Sequence, residues 1–174
     1  MRTNKDLVYL HNHDEYSNLK LTDSIAKVKQ LIDRAVELEQ KGVAITDHNI
    51  LSAHVEAINH VMAQKKKGKY PEDFNLILGN EIYLVDEKDM HRKIENKEPV
   101  KFYHFILLAK DEIGHKALRE MSSAAWHGMY NDRKLDRVPL LKSEMTDIMS
   151  KYKGHVIATT ACIGGELSHT ALEM

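Results

Sequence analysis

"GVAITDHNI", Gly42 to Ile50, is the stretch that decides the fold. Val43, Ala44 and Ile45 form an apolar run that passes directly into Thr46, Asp47, His48 and Asn49. A short run of this kind suits a strand buried on both faces, predicted over Val43 to Thr46. Its surroundings are helical. From Ser24 to Lys41, apolar residues fall at Ile25, Val28, Leu31, Ile32, Ala35 and Leu38, one face of a 3.6-residue period, with Gly42 as the stop. Leu51 to Lys67 is a second helix, with Val55, Ile58, Val61 and Met62 predicted to face inward. The alternation continues outward in both directions. Strands are predicted at Leu7 to Leu10, Leu76 to Val85, Phe102 to Ala109 and Val156 to Thr160. Helices are predicted from a cap at Asp111 to about His127, and from a cap at Ser143 through Tyr152. Met90 to Val100 and Tyr130 to Pro139 read as loops, and Gly164 to Met174 as the start of another helix. The order defines an α/β protein, a barrel or a distorted relative of one. The expectation is a single domain over residues 1–174 whose fold is incomplete at its C-terminal end and belongs to a longer chain.

Composition narrows the function. A formal net charge of −1 gives no global attraction to nucleic acid or membrane. The basic run Lys65 to Lys69 reads as a solvated helix end. No apolar stretch approaches the roughly 20 residues of a membrane span, and the N-terminus turns polar at His11, unlike a signal peptide. The single cysteine, Cys162, cannot form an internal disulfide, and a cytoplasmic, reducing location is expected. The unusual feature is 11 histidines in 174 residues, which directs attention to metal ligation.

Candidate ligands cluster where strands begin and end. His11 and His13 follow the first strand, spaced so that extended backbone turns both rings the same way. Asp47 and His48 follow the second strand, Glu81 lies in the third, His104 opens the fourth and Cys162 follows the fifth. Imidazole, carboxylate and thiolate bind zinc, manganese or iron, and mixed sets can hold more than one ion. Such ions clamp a phosphoryl group and activate water, so no side-chain nucleophile is required. The chain contains no G-x-S-x-G, H-E-x-x-H or G-x-x-x-x-G-K-[ST] segment. Taken singly, each residue has a plainer role: Cys162 as a small buried side chain, Asp47 as a helix cap, Glu81 as an exposed strand residue. His54, His60, His91, His115, His127, His155 and His169 are read as structural.

The segments "LHNHDEYSN", "AITDHN", "LGNEIYLV", "YHFILLAKDEIGHKALREMSSAA" and "VIATTACIGGE" together resemble the PHP domain, the polymerase and histidinol phosphatase superfamily. The fourth and fifth resemble most the version at the N-terminus of the bacterial or bacteriophage DNA polymerase III α subunit. The resemblance implies a distorted TIM-like β/α barrel with two or three divalent ions at its mouth, Zn, Mn or Fe. His11 and His13 match the opening His-x-His, and His48 matches the histidine of the family's T-D-H. Asp47 becomes a partner that orients an imidazole, and Glu81, His104 and Cys162 match the next ligands. Asp23 is the match for the carboxylate after His-x-His, with Asp14 and Glu15 as rivals and helix capping as its competing role. "YNDRKLDRVPLL" departs from the family pattern; Arg133 or Arg137 there could contact phosphate, or the stretch could be a solvated loop. The family's final Asp-x-His pair would fall beyond Met174. The resemblance implies metal-dependent phosphoester hydrolysis by a metal-activated water, in the form of 3′-to-5′ exonuclease proofreading, within a chain that performs DNA-directed DNA synthesis in replication. DNA, and other replisome subunits, would be its partners, with no membrane association. The alternatives are a non-catalytic scaffold domain of the polymerase and a small-molecule phosphatase of the histidinol-phosphatase type.

Overall fold

The computed structural model describes residues 7–18, 23–96, 100–132 and 135–173. They fall into two compact units, Met1–Asn80 and Glu81–Met174. Both alternate helix and strand, so the α/β class expected from the sequence is the one observed.

In the first unit a 3-10 turn, Glu15–Ser17, precedes α1 (Val28–Glu37), β1 (Gly42–Ile45), α2 (Ala53–Lys66) and the opening of β2 (Asn75–Val85). β1 pairs in parallel with β2, Gly42 opposite Asn75 through Ile45 opposite Leu78. The core joins Val28, Ile32 and Ala35 of α1, Val43 and Ile45 of β1, and Ala53, Ala57 and Val61 of α2, closed by Tyr70 and Phe74. The buried face of α2 is therefore His54, Ala57 and Val61; Val55 and Met62, predicted inward, are 68% and 65% exposed. His54 takes the inward place because its Nε2 bonds the Gly79 carbonyl at 3.0 Å. Small alanines flank it and let α2 sit close.

Of three local departures from the sequence reading, the first two share one cause: backbone groups spent on other partners. Residues 7–10 form no strand. The Tyr9 and Asn12 carbonyls accept from the Ala44 and Thr46 amides of β1 and its extension, while the Asn12 side chain donates to the Ala44 carbonyl that a ladder would need. Helix α1 starts at Val28 rather than Ser24. The amides of Asp23 and Ser24 donate to Asn18 Oδ1, and the Ala26 carbonyl accepts from Glu15. Gly42 is not a helix stop, since α1 ends five residues earlier, at Glu37, and the chain turns at Glu39 (φ 56°). A Cβ on Gly42 would lie 2.5 Å from the Asn75 carbonyl oxygen, so glycine is required there by the close approach of β1 to β2.

The second unit holds the end of β2, then α3 (Glu87–Asn96), β3 (Tyr103–Ala109), α4 (Glu112–His127), β4 (Tyr130–Asp132), β5 (Leu135–Arg137), β6 (Pro139–Leu141), α5 (Lys142–Lys151), β7 (Val156–Thr160) and α6 (Glu166–Glu173). β6 runs parallel to the end of β2 and β7 antiparallel to β3, so the pairing is mixed. Helix α4 packs on β3 through Ala117, Leu118, Met121 and Ala125, and its N-cap is Asp111, which accepts from the Gly114 amide as predicted. Both predicted loops carry structure. Residues 87–96 are helical, begun by Glu87 and Asp89 in the first turn, where acids favour the helix dipole. Residues 130–132 and 135–137 form the antiparallel pair β4 and β5. Helix α5 starts one residue before the predicted cap, with Glu144 accepting from the Leu141 amide. Lys65 to Lys69 lie at the solvated end of α2, as read. No helix among the described residues is long and apolar enough to cross a membrane.

Candidate metal centre

The first unit builds a ligand group at the polar end of β1. Thr46, Asp47 and His48 leave the strand in order, and Asn49, at φ 59°, turns the chain toward α2. Asparagine tolerates that left-handed conformation better than most residues. The turn leaves Asp47 1% exposed and aims His48 at the segment before α1. There His48 Nε2 lies 3.0 Å from Asp23 Oδ2. The His13 ring stacks on His48 with centroids 4.2 Å apart. His13, Asp23 and His48 each offer a ligand atom, and the three atoms lie within 4.8 Å of one another. The delayed start of α1 is what frees Asp23 for this place; it caps no helix. His11 Nε2 meets His13 Nε2 at 2.8 Å.

The rivals of Asp23 are engaged elsewhere. Glu15 pairs with Lys27. Asp14 is fully buried, accepting from the Tyr16 amide at 2.9 Å. Burial pushes its carboxyl up to about 7; the Tyr16 hydrogen bond opposes the rise and the nearby Asp47 adds to it. Asp47 Oδ1 accepts from the Asp14 amide at 2.9 Å and from Ser17 Oγ at 2.6 Å. Ser17 in turn lies 3.0 Å from His13 Nδ1. Asp47 is thus linked to an imidazole, but through a serine that sequence reasoning missed. Its one signal was position, four residues after His13 in the turn that Asp14 caps.

The second unit builds another group. Glu81 sits mid-strand in β2, not at a strand boundary, and is 1% exposed. His104, second residue of β3, brings Nδ1 to 2.6 Å from Glu81 Oε1. Cys162 Sγ lies 3.5 Å from the same nitrogen. Glu81, His104 and Cys162 have ligand atoms within 4.8 Å of one another. The turn after β7 holds the cysteine. Gly164 donates its amide to Cys162 Sγ at 3.3 Å and accepts from the His104 amide at 3.1 Å. A Cβ on Gly164 would sit 3.3 Å from His104 Cδ2 and 3.5 Å from Sγ, tighter than the ring tolerates in place. The first glycine of "ACIGGE" is explained by this approach; a Cβ on the second, Gly165, would meet the Cys162 and His104 carbonyl oxygens at 3.2 and 3.3 Å.

Both groups suit a divalent cation. Each mixes neutral donors with a carboxylate, and the second adds sulfur. In the first unit, Asp14 Oδ2 and Asp47 Oδ2 are buried without a hydrogen-bond partner among the described residues. Four of the remaining histidines are satisfied locally: His60 by Asp33, His155 by Asp111, His127 by the Ser123 carbonyl and His54 by Gly79. Arg137 stacks its guanidinium 5.6 Å over the Phe102 ring and joins neither group. Arg133 lies outside the described residues.

Fold and site together define an α/β protein with two three-donor groups suited to metal ions. The chain belongs to the PHP family, whose sequence profile, described as the PHP domain, matches residues 9–173. It is 48% identical over 162 residues to the DNA-directed DNA polymerase of Bacillus phage SPbeta, covering 93% of this chain and 12% of that protein. It is 33% identical over 159 residues to the DNA polymerase III subunit alpha of Borreliella burgdorferi, covering 91% and 12%. Among solved structures, an amidohydrolase from Chromobacterium violaceum superposes with a TM-score of 0.40 at 14% identity, over 84% of this chain and 50% of that one. The chain spans about 12% of the length of the polymerases it matches.

Proposed function

We propose that residues 1–174 are one PHP domain of a DNA polymerase III α-like polymerase, and that the domain hydrolyses phosphoesters, removing nucleotides 3′ to 5′ during replication. The observation that carries the reading is the pair of donor groups, His13 with Asp23 and His48, and Glu81 with His104 and Cys162, on a chain of this family. These six residues, with His11 beside His13, would hold two or three divalent ions, Zn, Mn or Fe. Such ions supply Lewis acidity toward a phosphoryl oxygen and lower the pKa of water. The chain's own contribution is positional. β1 and its Asn49 turn fix His48, Asp47 and Ser17 hold His13, and Gly164 lets Cys162 approach His104. The whole polymerase would bring DNA to the site, meet other replisome subunits and work in the cytoplasm. The test is release of nucleotides from a 3′ end with Mn²⁺ or Zn²⁺. Replacing His11 and His13 together by Ala should abolish it; unchanged activity in that double variant refutes the hydrolase.

A further inference from the structure

Ser17 carries more than a turn. It is 6% exposed, and its Oγ meets three groups: Asp47 Oδ1 at 2.6 Å, His13 Nδ1 at 3.0 Å and the His48 amide nitrogen at 3.3 Å. A hydroxyl has one hydrogen to donate and two lone pairs to accept with. The His48 N–H can only donate, so it takes one lone pair. The single hydrogen must then go either to Asp47 or to His13. The 2.6 Å contact has the length of an O–H···O⁻ bond, the stronger of the two choices. The hydrogen therefore goes to Asp47, and the second lone pair accepts from His13 Nδ1, which must carry a proton.

We infer that Ser17 is a positioning residue that fixes His13 as its Nδ1–H tautomer, leaving Nε2 bare to ligate a divalent cation. The inference rests on His13 being a ligand, but not on the domain being a nuclease. Asp47 acts at one remove: its carboxylate fixes the direction of the Ser17 hydroxyl, and the hydroxyl fixes the ring. The same oxygen ties the His48 backbone to His13, which keeps the two rings stacked. Proteins commonly set a ligating histidine through the hydrogen bond at its other nitrogen; here a serine relays it from a buried aspartate.

The experiment is long-range ¹H–¹⁵N NMR on the metal-free chain labelled with ¹⁵N-histidine, with the His13 signals identified by their absence in His13→Gln. The expected pattern is Nδ1 protonated and Nε2 bare. An Nε2–H pattern in the wild type overturns the inference, and needs no folded variant to do so. In Ser17→Ala the Nε2–H form should appear, and Zn²⁺ affinity followed at the His13 signals should fall about 10–100-fold. Ser17→Thr, which keeps the hydroxyl, should restore both. A folded Ser17→Ala chain that keeps the wild-type tautomer and affinity refutes the relay. A chain with the expected tautomer but no hydrolytic activity refutes the nuclease reading and leaves this one standing.

Discussion

Cys162 is the only cysteine in the chain and is exposed, which makes it a single-site reporter of the second ligand group. A thiol-alkylating reagent should modify it readily in metal-free protein. Alkylation needs the unbound sulfur. With a divalent ion at about 100 times its Kd, the rate should therefore fall about 100-fold, equivalent to about 2.7 kcal/mol. Glu81→Gln is the informative perturbation. Glu81 is 1% exposed, and glutamine fills the same volume, so no cavity opens. The amide can still hydrogen-bond His104 Nδ1, which lies 2.6 Å from Glu81 Oε1. What is lost is the anionic donor. Removing even an outer partner of a metal site weakens binding about 10–100-fold, and losing a ligand should reach the upper figure. At the same metal concentration, protection in Glu81→Gln should drop from about 100-fold to about 2-fold. The assay is the alkylation rate read by intact mass, with circular dichroism checking the fold. Full protection in Glu81→Gln, or no protection of the wild type by zinc, manganese or iron, refutes the assignment of Glu81, His104 and Cys162 as a metal site.

Three further outcomes follow from the geometry. Gly164→Ala, which places a methyl 3.3 Å from His104 Cδ2, should keep the fold but weaken the same metal protection by displacing the ring; unaltered protection would show that the approach has slack. Gly42→Ala meets a backbone oxygen at 2.5 Å and should cost about 1–3 kcal/mol, a fall in Tm of several degrees by thermal unfolding. Burial works to raise the Asp33 carboxyl, but hydrogen bonds from Tyr70 and His60 outweigh it and hold the group below its ordinary value. A depressed folded pKa means stability that is present above the ordinary Asp value, about 3.9, and lost as pH falls through the lower folded one. In Tyr70→Phe the acid-linked part of the urea midpoint should therefore shrink; an identical acid limb would show that Tyr70 does not hold the carboxylate.

The sequence made the alternation of elements legible because buried strands are short apolar runs and α1 and α4 keep their period. It misplaced residues wherever a polar side chain competes with a ladder or helix. Asn12 and Asn18 capture the backbone groups that would have extended a first strand and begun α1 earlier. Periodicity cannot register such captures, since neither asparagine is apolar. It also misjudged part of the inward face of α2, where Val61 is buried as expected but Ala53, His54 and Ala57 take the other inward places while Val55 and Met62 face solvent. For the candidate site, the sequence named His13, His48, Glu81, His104 and Cys162, and family resemblance named Asp23 among three carboxylates; these are residues whose ligand atoms the structure brings together in two groups. Ser17 was not readable. A serine in a turn has too many ordinary uses, and only the convergence of three groups on one oxygen distinguishes it.

The polar residues behind the first ligand group explain why this unit tolerates so much buried polarity. Thr46, Asp47, Asn49 and Asn80 are each at most 5% exposed, within a unit whose core is otherwise aliphatic and aromatic. Every buried amide or carboxylate must recover its hydration through hydrogen bonds or remain a penalty. The Asn80 amide nitrogen and the Thr46 hydroxyl do recover it, and each bond fixes something. Asn80 donates to the Asp47 and Ile50 carbonyls, bracketing the turn that carries His48. Thr46 Oγ1 accepts from the Asn12 amide and donates to the Asn12 carbonyl, clamping the residue between His11 and His13. An apolar set of the same volume would pack as well and would specify neither turn nor clamp. Asp14 Oδ2, Asp47 Oδ2 and Asn80 Oδ1, buried without a hydrogen-bond partner among the described residues, are then a part of the arrangement that hydrogen bonding alone does not balance. The physical reason to place a cation in the first unit is the convergence of ligand atoms of His13, Asp23 and His48 within 4.8 Å of one another, which was visible only in three dimensions.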